Sequence, residues 1–220
     1  MKSLDRNRQT GATLLVALVL LAVVTVLTVS NMREVTLEGR MTANRIEVQQ
    51  LRLASESALR EAEKRYYGPT NIEDKLTERP DNCKKSNIYK RLSHNKPCLI
   101  KLTDTSVIDL EAHLDFQRNP LQYIKDSGYL NNWTGLETDT ADNNTFVPWM
   151  PYRGTTPGNT STLEHKAYWN TVLLPNDDIN AEYGDALQGK GTYFYLVTAQ
   201  AADQFALQTT MANIYVGINN

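Results

Sequence analysis

The side chains able to do chemistry are few in this sequence and widely spread. His94, His113 and His165 are its three histidines, and none falls in the HxxxH or HExxH spacing that sets two imidazoles on one helix face around zinc. Glu164 stands beside His165, but one adjacent acid–imidazole pair defines no acid–base site, and an exposed loop is the plainer reading. There is no Gly-x-Ser-x-Gly elbow, phosphate loop or dinucleotide fingerprint. Two acidic clusters, Asp139, Asp142, Asn143 and Asn144, and then Asp177, Asp178 and Glu182, lack the D-x-D-x-D-G spacing of a calcium loop. They read as solvated loops. The expectation is a chain with no catalytic residues, no metal and no cofactor, and so not an enzyme.

Two further features carry chemistry of another kind. Cys83 and Cys98 are the only cysteines, with 14 residues between them. That is not the CxxC of a redox pair, and no histidine pair stands near to make a zinc knuckle. Outside the cytoplasm they are expected to pair as a structural staple, worth about 3 kcal/mol by loop closure. The sequons Asn132-Trp133-Thr134 and Asn143-Asn144-Thr145 carry little weight in a bacterial host. A formal charge of -2 and scattered basic residues give no sign of a nucleic-acid partner.

The elements that must position these residues begin with an anchor. Mean hydropathy is -0.45, yet Ala12 to Val29 is an uncharged apolar run of 18 residues broken only by Thr13, Thr25 and Thr28. Lys2, Arg6 and Arg8 precede it, which keeps the start cytoplasmic and sends the rest across the membrane. Three readings fit that start. A cleaved signal peptide needs a small-x-small site, but the run ends Thr28-Val29-Ser30-Asn31-Met32. A plain one-pass anchor needs about 20 apolar residues. A prepilin leader, residues 1–11, is cut between Gly11 and Ala12 and leaves the span, residues 12–30, in the mature chain.

The residues just after the span separate the last two. Residues 32–66 hold no proline and one glycine, Gly39. Leu37, Met41, Val48, Leu51, Ala58 and Ala62 recur mostly at three, four or seven, which draws one apolar stripe along a helix. Glu34, Glu38, Arg40, Arg52 and Glu61 fall on the other faces, and Glu56–Arg60 and Glu61–Arg65 stand as i,i+4 pairs. The spacing predicts one helix over residues 12–66. Its first half suits a membrane and its second half a sheet.

Those residues resemble a known family. Thr10-Gly11-Ala12-Thr13-Leu14-Leu15-Val16, Met41-Thr42-Ala43-Asn44 and the stretch Gln49 to Glu63 are similar to the "GAALLV…M.AN…Q.A..AAE.AL..AE" pattern of PilX-type minor pilins, within the type IV pilin-like superfamily. The resemblance covers residues 8–66, with Ser57 standing where alanine is commoner. It implies cutting by a prepilin peptidase and methylation of the new N-terminus. It implies a single-pass inner-membrane subunit with a periplasmic head, later carried into the pilus. Pilins generally resemble one another in a glutamate at the fifth mature position, which here is Val16. PilX-type minor pilins and the K-type pseudopilins of type II secretion are similar in lacking it, which implies a place at the filament tip. The implied partners are other minor pilins, the major pilin and a large pilus-tip adhesin of the PilC/PilY type. The implied roles are starting assembly, adhesion and twitching motility.

The body, residues 67–220, is less legible. Tyr66-Tyr67-Gly68-Pro69 ends the helix. Leu110 to Ile124 holds a short helix and Ala167 to Leu174 reads as a strand. Thr192–Gln200 and Ala206–Val216 are β-branched and aromatic, with Ala201 to Phe205 closing a hairpin. PilX-type proteins are similar here too, ending in an "ITA" strand and a partner strand with a "Q…T…Y" pattern. The expected fold is α+β, pilin-like: a long N-terminal helix packed on a C-terminal antiparallel sheet. Two other readings stand beside it. One is a K-type pseudopilin, whose family usually carries a larger helical insertion. The other is a membrane-anchored periplasmic binding protein or enzyme, which would keep residues 1–11.

Overall fold

A computed structural model describes residues 10–68, 70–91, 94–102, 110–121, 135–158, 160–174 and 190–216. Helix α1 runs Thr10–Arg65 through a stretch with no proline and few glycines, so no residue breaks its hydrogen-bond ladder. It ends by tightening: the Tyr66 and Tyr67 amides donate to the Glu63 and Lys64 carbonyls. Gly68 then takes the left-handed conformation, φ 88°, that lets a chain leave a helix. The Lys75 ammonium donates to the Tyr66 and Gly68 carbonyls at 3.0 and 2.6 Å, satisfying acceptors the helix end leaves open.

The chain divides into two compact units, Met1–Glu47 and Val48–Asn220. Among the described residues the first is helix alone, and from Ala12 to Glu47 every one of its residues is exposed. The second holds the remainder of α1, α2 (Glu73–Leu76), a 3-10 turn (Pro80–Asn82), β1 (Leu99–Ile100), α3 (Leu110–Arg118), α4 (Gly135–Thr138), β2 (Met150–Pro151), β3 (Ala167–Leu173), β4 (Lys190–Ala201) and β5 (Phe205–Val216).

The five strands form one sheet, in the order β1-β3-β4-β5, with β2 also on β3. β3, β4 and β5 are antiparallel, in register at Thr171↔Val197 and Val197↔Thr209. The outer edge of β3 is shared: β2 pairs antiparallel at Trp169, and β1 pairs parallel at Thr171. The α+β layout expected from the sequence holds. The sheet is mixed rather than wholly antiparallel, because the two-residue β1, led in from Cys98, runs alongside β3 in the same direction.

β3 is buried nearly end to end because both its faces are covered. Trp169, Thr171, Tyr195 and Val197 share the face on which α1 lies, with Leu51, Ala54, Ala58 and Ala62 in the same core. Tyr66 stacks obliquely on Tyr195 at 4.5 Å and shares a hydrogen bond with Thr171. The opposite face carries Tyr168, Asn170, Thr198 and Gln200. Gln208 reaches from it to the Phe116 carbonyl of α3. A Cβ on Gly135 would stand 2.0 Å from the Gln200 amide and 2.5 Å from the Tyr168 ring, so α4 approaches this face where only glycine fits.

The six-residue stripe read from the sequence is buried only in part. Leu51, Ala58 and Ala62 are inside, whereas Leu37, Met41 and Val48 are 61, 60 and 49% exposed. Leu37 and Met41 belong to the first unit, whose described residues supply nothing to cover them. The β4–β5 loop is also shorter than expected. Ala201 and Phe205 pair across the sheet, which leaves Ala202 to Gln204 to turn the chain.

Candidate functional site, the N-terminal helix

Gly11 and Ala12, the expected cleavage pair, lie in the first turns of α1. Residues 1–9 of the expected leader, 1–11, lie outside the described residues. From Ala12 the helix is long and apolar enough to cross a membrane, with a mean hydropathy of 2.8 over its most apolar window and nothing of that window buried. A hydroxyl in hydrocarbon is costly unless bonded. Thr25 donates to the Ala22 carbonyl at 2.8 Å and Thr28 to Val24 at 2.6 Å, so these threonines do not disqualify the span. Val16 is exposed on this surface.

Lower on the same helix the surface changes. Leu51, Ala54, Ser55, Ala58, Glu61, Ala62 and Arg65 are all buried, one face at spacings of three and four. Glu61, expected on the polar side, is on the buried side instead, and so is its i,i+4 partner Arg65. Their ion pair is 2.8 Å long with both side chains fully buried. The other carboxylate oxygen of Glu61 accepts from the Arg153 and Gly154 amides at 2.7 and 2.9 Å. Arg65 donates to the side chain and carbonyl of Asn87, and its guanidinium faces the Tyr89 and Trp169 rings at 5.5 and 5.6 Å. Burial holds the Arg65 pKa below its usual range, with the charge and hydrogen bond of Glu61 opposing. A signal did exist: Glu61 and Arg65 follow Ala58 by three and seven, on the stripe itself. The other pair read from the sequence is not made. Glu56 binds Arg52, at 3.2 Å, rather than Arg60.

Cys83 and Cys98 are joined, fully buried, with Cα atoms 4.7 Å apart. The bond ties the end of the 3-10 turn to the start of β1. The Cys83 carbonyl accepts from the Val147 amide and the Cys98 carbonyl from the Thr171 hydroxyl, so the staple sits between β3 and the segment just before β2.

The remaining chemical residues are spread over the head. His94 is exposed, the His113 ring lies 3.3 Å from the Leu173 carbonyl, and the His165 ring lies 3.0 Å from the Gln50 side chain. Asp139 accepts from Lys166 and from the Tyr168 hydroxyl. Asn144 accepts from Ser86. Asp177, Asp178 and Glu182, and the sequon at Asn132, lie outside the described residues. Among the described residues no group of three or more His, Cys, Asp or Glu is placed to hold a metal.

No curated protein and no solved structure matches this chain. Residues 10–60, from the first turn of α1 through the exposed apolar half and into the buried stripe, match the family described as PilX N-terminal. Over that segment the chain is similar to the PilX-type minor pilins of type IV pili.

Proposed function

We propose that this chain is an inner-membrane minor pilin with a periplasmic head, that it helps to initiate type IV pilus assembly, and that it joins a tip complex. The other members of that complex are further minor pilins and a large adhesin of the PilC/PilY type, with the major pilin below. The observation that carries this reading is the division of α1. Residues 12–47 are exposed throughout, and apolar as far as Val29, while Leu51, Ala54, Ala58 and Ala62 on the same helix are core residues. An apolar surface of that size left uncovered by its own chain is an interaction surface. Lipid can cover it before assembly, and neighbouring helices after.

Val16 supports the tip position. A carboxylate in an apolar span costs about 2.5–3.5 kcal/mol on insertion scales, so it is kept where a neighbour's freed amine pairs with it. A subunit with valine there has no such partner to serve. The K-type pseudopilin reading has less support. Among the described residues the head is built on a five-stranded sheet, and its longest helix apart from α1 is the nine-residue α3.

The test is the intact mass of the chain expressed with and without a prepilin peptidase. Loss of residues 1–11 only when the peptidase is present is the expected result, and an uncut chain in both samples defeats the reading. Deleting the gene is expected to reduce the number of surface pili. A labelled copy is expected at one end of each fibre, and label along the whole shaft would defeat the tip placement.

A further inference from the structure

β5 (Phe205–Val216) ends the sheet, and its outer side pairs with no described strand. The ladder shows which of its backbone groups face outward. The Leu174 amide donates to the Phe194 carbonyl and the Ala202 amide to the Lys166 carbonyl, so the even-numbered residues of β4 bond toward β3. Bonding direction alternates along an antiparallel strand, so the odd-numbered residues of β4 bond toward β5. Their partners there, Phe205, Leu207, Thr209, Met211, Asn213 and Tyr215, are odd-numbered as well. That leaves the amides and carbonyls of Ala206, Gln208, Thr210, Ala212 and Ile214 pointing outward. Among the described residues no hydrogen bond reaches them. We propose that this edge takes an added strand: an extended, uncharged segment of another protein, with apolar side chains at alternate positions.

The edge lacks the usual protection. Exposed strand edges commonly carry a charge, a proline or a bulge that stops other chains from pairing. Phe205–Val216 contains no charged residue, no proline and no glycine. Its register with β4 runs without a slip from Lys190↔Val216 to Ala201↔Phe205. Ile214 is apolar and yet 76% exposed. Leu207 and Met211, on the face that α1 covers, are half-buried.

The occupant follows from the edge. A row of donors and acceptors repeating every two residues is matched by an extended peptide backbone, and not by a nucleic acid, a sugar or a lipid headgroup. With no charge on β5, neither an acidic nor a basic segment gains from pairing, so the segment is neutral. Leu207 and Met211 on one face and Ile214 on the other favour apolar side chains opposite them. A second copy of this chain fits less well. Antiparallel pairing of two β5 strands, the form a two-fold dimer takes across a shared sheet, runs residues 48–65 of the copies in opposite directions. Copies anchored in one membrane by residues 12–29 share a direction. That last step rests on the membrane reading above, whereas the edge belongs to the head and stands even with an uncut leader.

The experiment uses the full-length chain in detergent and a fluorescent peptide of alternating threonine and valine, matched to β5 in length. A second peptide carries proline in place of every threonine, which removes the donors of one edge and bars it from a ladder. Saturable binding of the first peptide and none of the second is expected. Binding is expected to slow hydrogen exchange at the amides of Ala206, Gln208, Thr210, Ala212 and Ile214, and to be insensitive to salt. Proline is tolerated on an edge strand where the lost N–H faced solvent, so T210P is expected to keep its melting temperature and to weaken the peptide about tenfold. Should T210P fail to fold, the exchange pattern of the unaltered protein decides. No binding, equal binding of the proline peptide, no slowing at those five amides, or a peptide-free dimer that protects them overturns the proposal.

Discussion

Glu61 and Arg65, one turn apart on α1, form an ion pair with neither side chain exposed, and between them they bind two other segments of the head. Arg153 and Gly154 hang on the carboxylate, and Asn87 on the guanidinium. The pair therefore fixes how the buried half of the helix sits against loops far along the sequence. Removing one partner leaves the other charge buried alone, which typically costs about 3–5 kcal/mol. R65M is expected to destabilise the head by about that amount in urea unfolding. E61L/R65M, which removes both charges, is expected to cost less than the two single changes added together. Additive losses would show that the two residues do not act as a unit.

The disulfide closes a loop of sequence separation 15, for which the chain-entropy account gives about 3 kcal/mol. C83A/C98A is expected to lower stability by about 2–5 kcal/mol, the usual range for a native staple. Because both sulfurs are buried, the folded protein is expected to resist mild reductant and to lose the bond only as it unfolds. Rapid reduction of the native protein would contradict the burial.

The β4–β5 turn offers a stabilising change. Ala202 and Asp203 hold φ of 52 and 57°, a region that costs a residue with a Cβ roughly 1–2 kcal/mol. Asp203 has a reason to be there, since its carboxylate accepts from the Gly135 amide and the Gln200 side chain. The Ala202 side chain has no such bond. A202G is expected to raise stability by about 1 kcal/mol, read as a higher melting temperature. A lower one would mean that the Ala202 methyl contributes more in packing than it costs in strain.

Alkaline pH acts on the head in two opposite ways. Burial pushes Lys75 down to about 8, below the value near 10.4 of an unfolded lysine. Between those values the unfolded chain holds a proton that the folded one has lost, so this group adds stability as pH rises. Tyr66, Tyr168 and Tyr195 are pushed upward, chiefly by burial. Unfolded tyrosine ionises near 10 while the folded rings keep their protons, so stability falls above that pH. The melting temperature is expected to rise gently from about pH 8, then drop beyond about pH 10. K75M is expected to remove the rise and keep the drop. In near-ultraviolet absorbance these three tyrosines are expected to ionise only as the protein unfolds.

Elements of this fold differ in how legible they are in the sequence, and the reasons are physical. α1 can be read because its signals are local: no proline, charges placed every turn, and an apolar run that no loop or strand needs. β3, β4 and β5 can be read from β-branched and aromatic runs. β1 and β2, two residues each, cannot, because a strand so short exists only where β3 offers its edge. Charge is normally a mark of the surface, so the sequence points Glu61 and Arg65 to the wrong side. Here Asn87, Arg153 and Gly154, distant in sequence, supply the hydrogen bonds that make burial tolerable.

The sequence by itself determined the apolar run, the long helix, the α+β class and the family likeness of the N-terminal segment, since each depends on residue types at short and regular spacing. The tertiary structure alone decided where the buried part of the stripe begins, which i,i+4 pair goes inside, and how one edge of β3 serves both β1 and β2. Those outcomes rest on contacts between residues tens of positions apart, for which no local pattern exists.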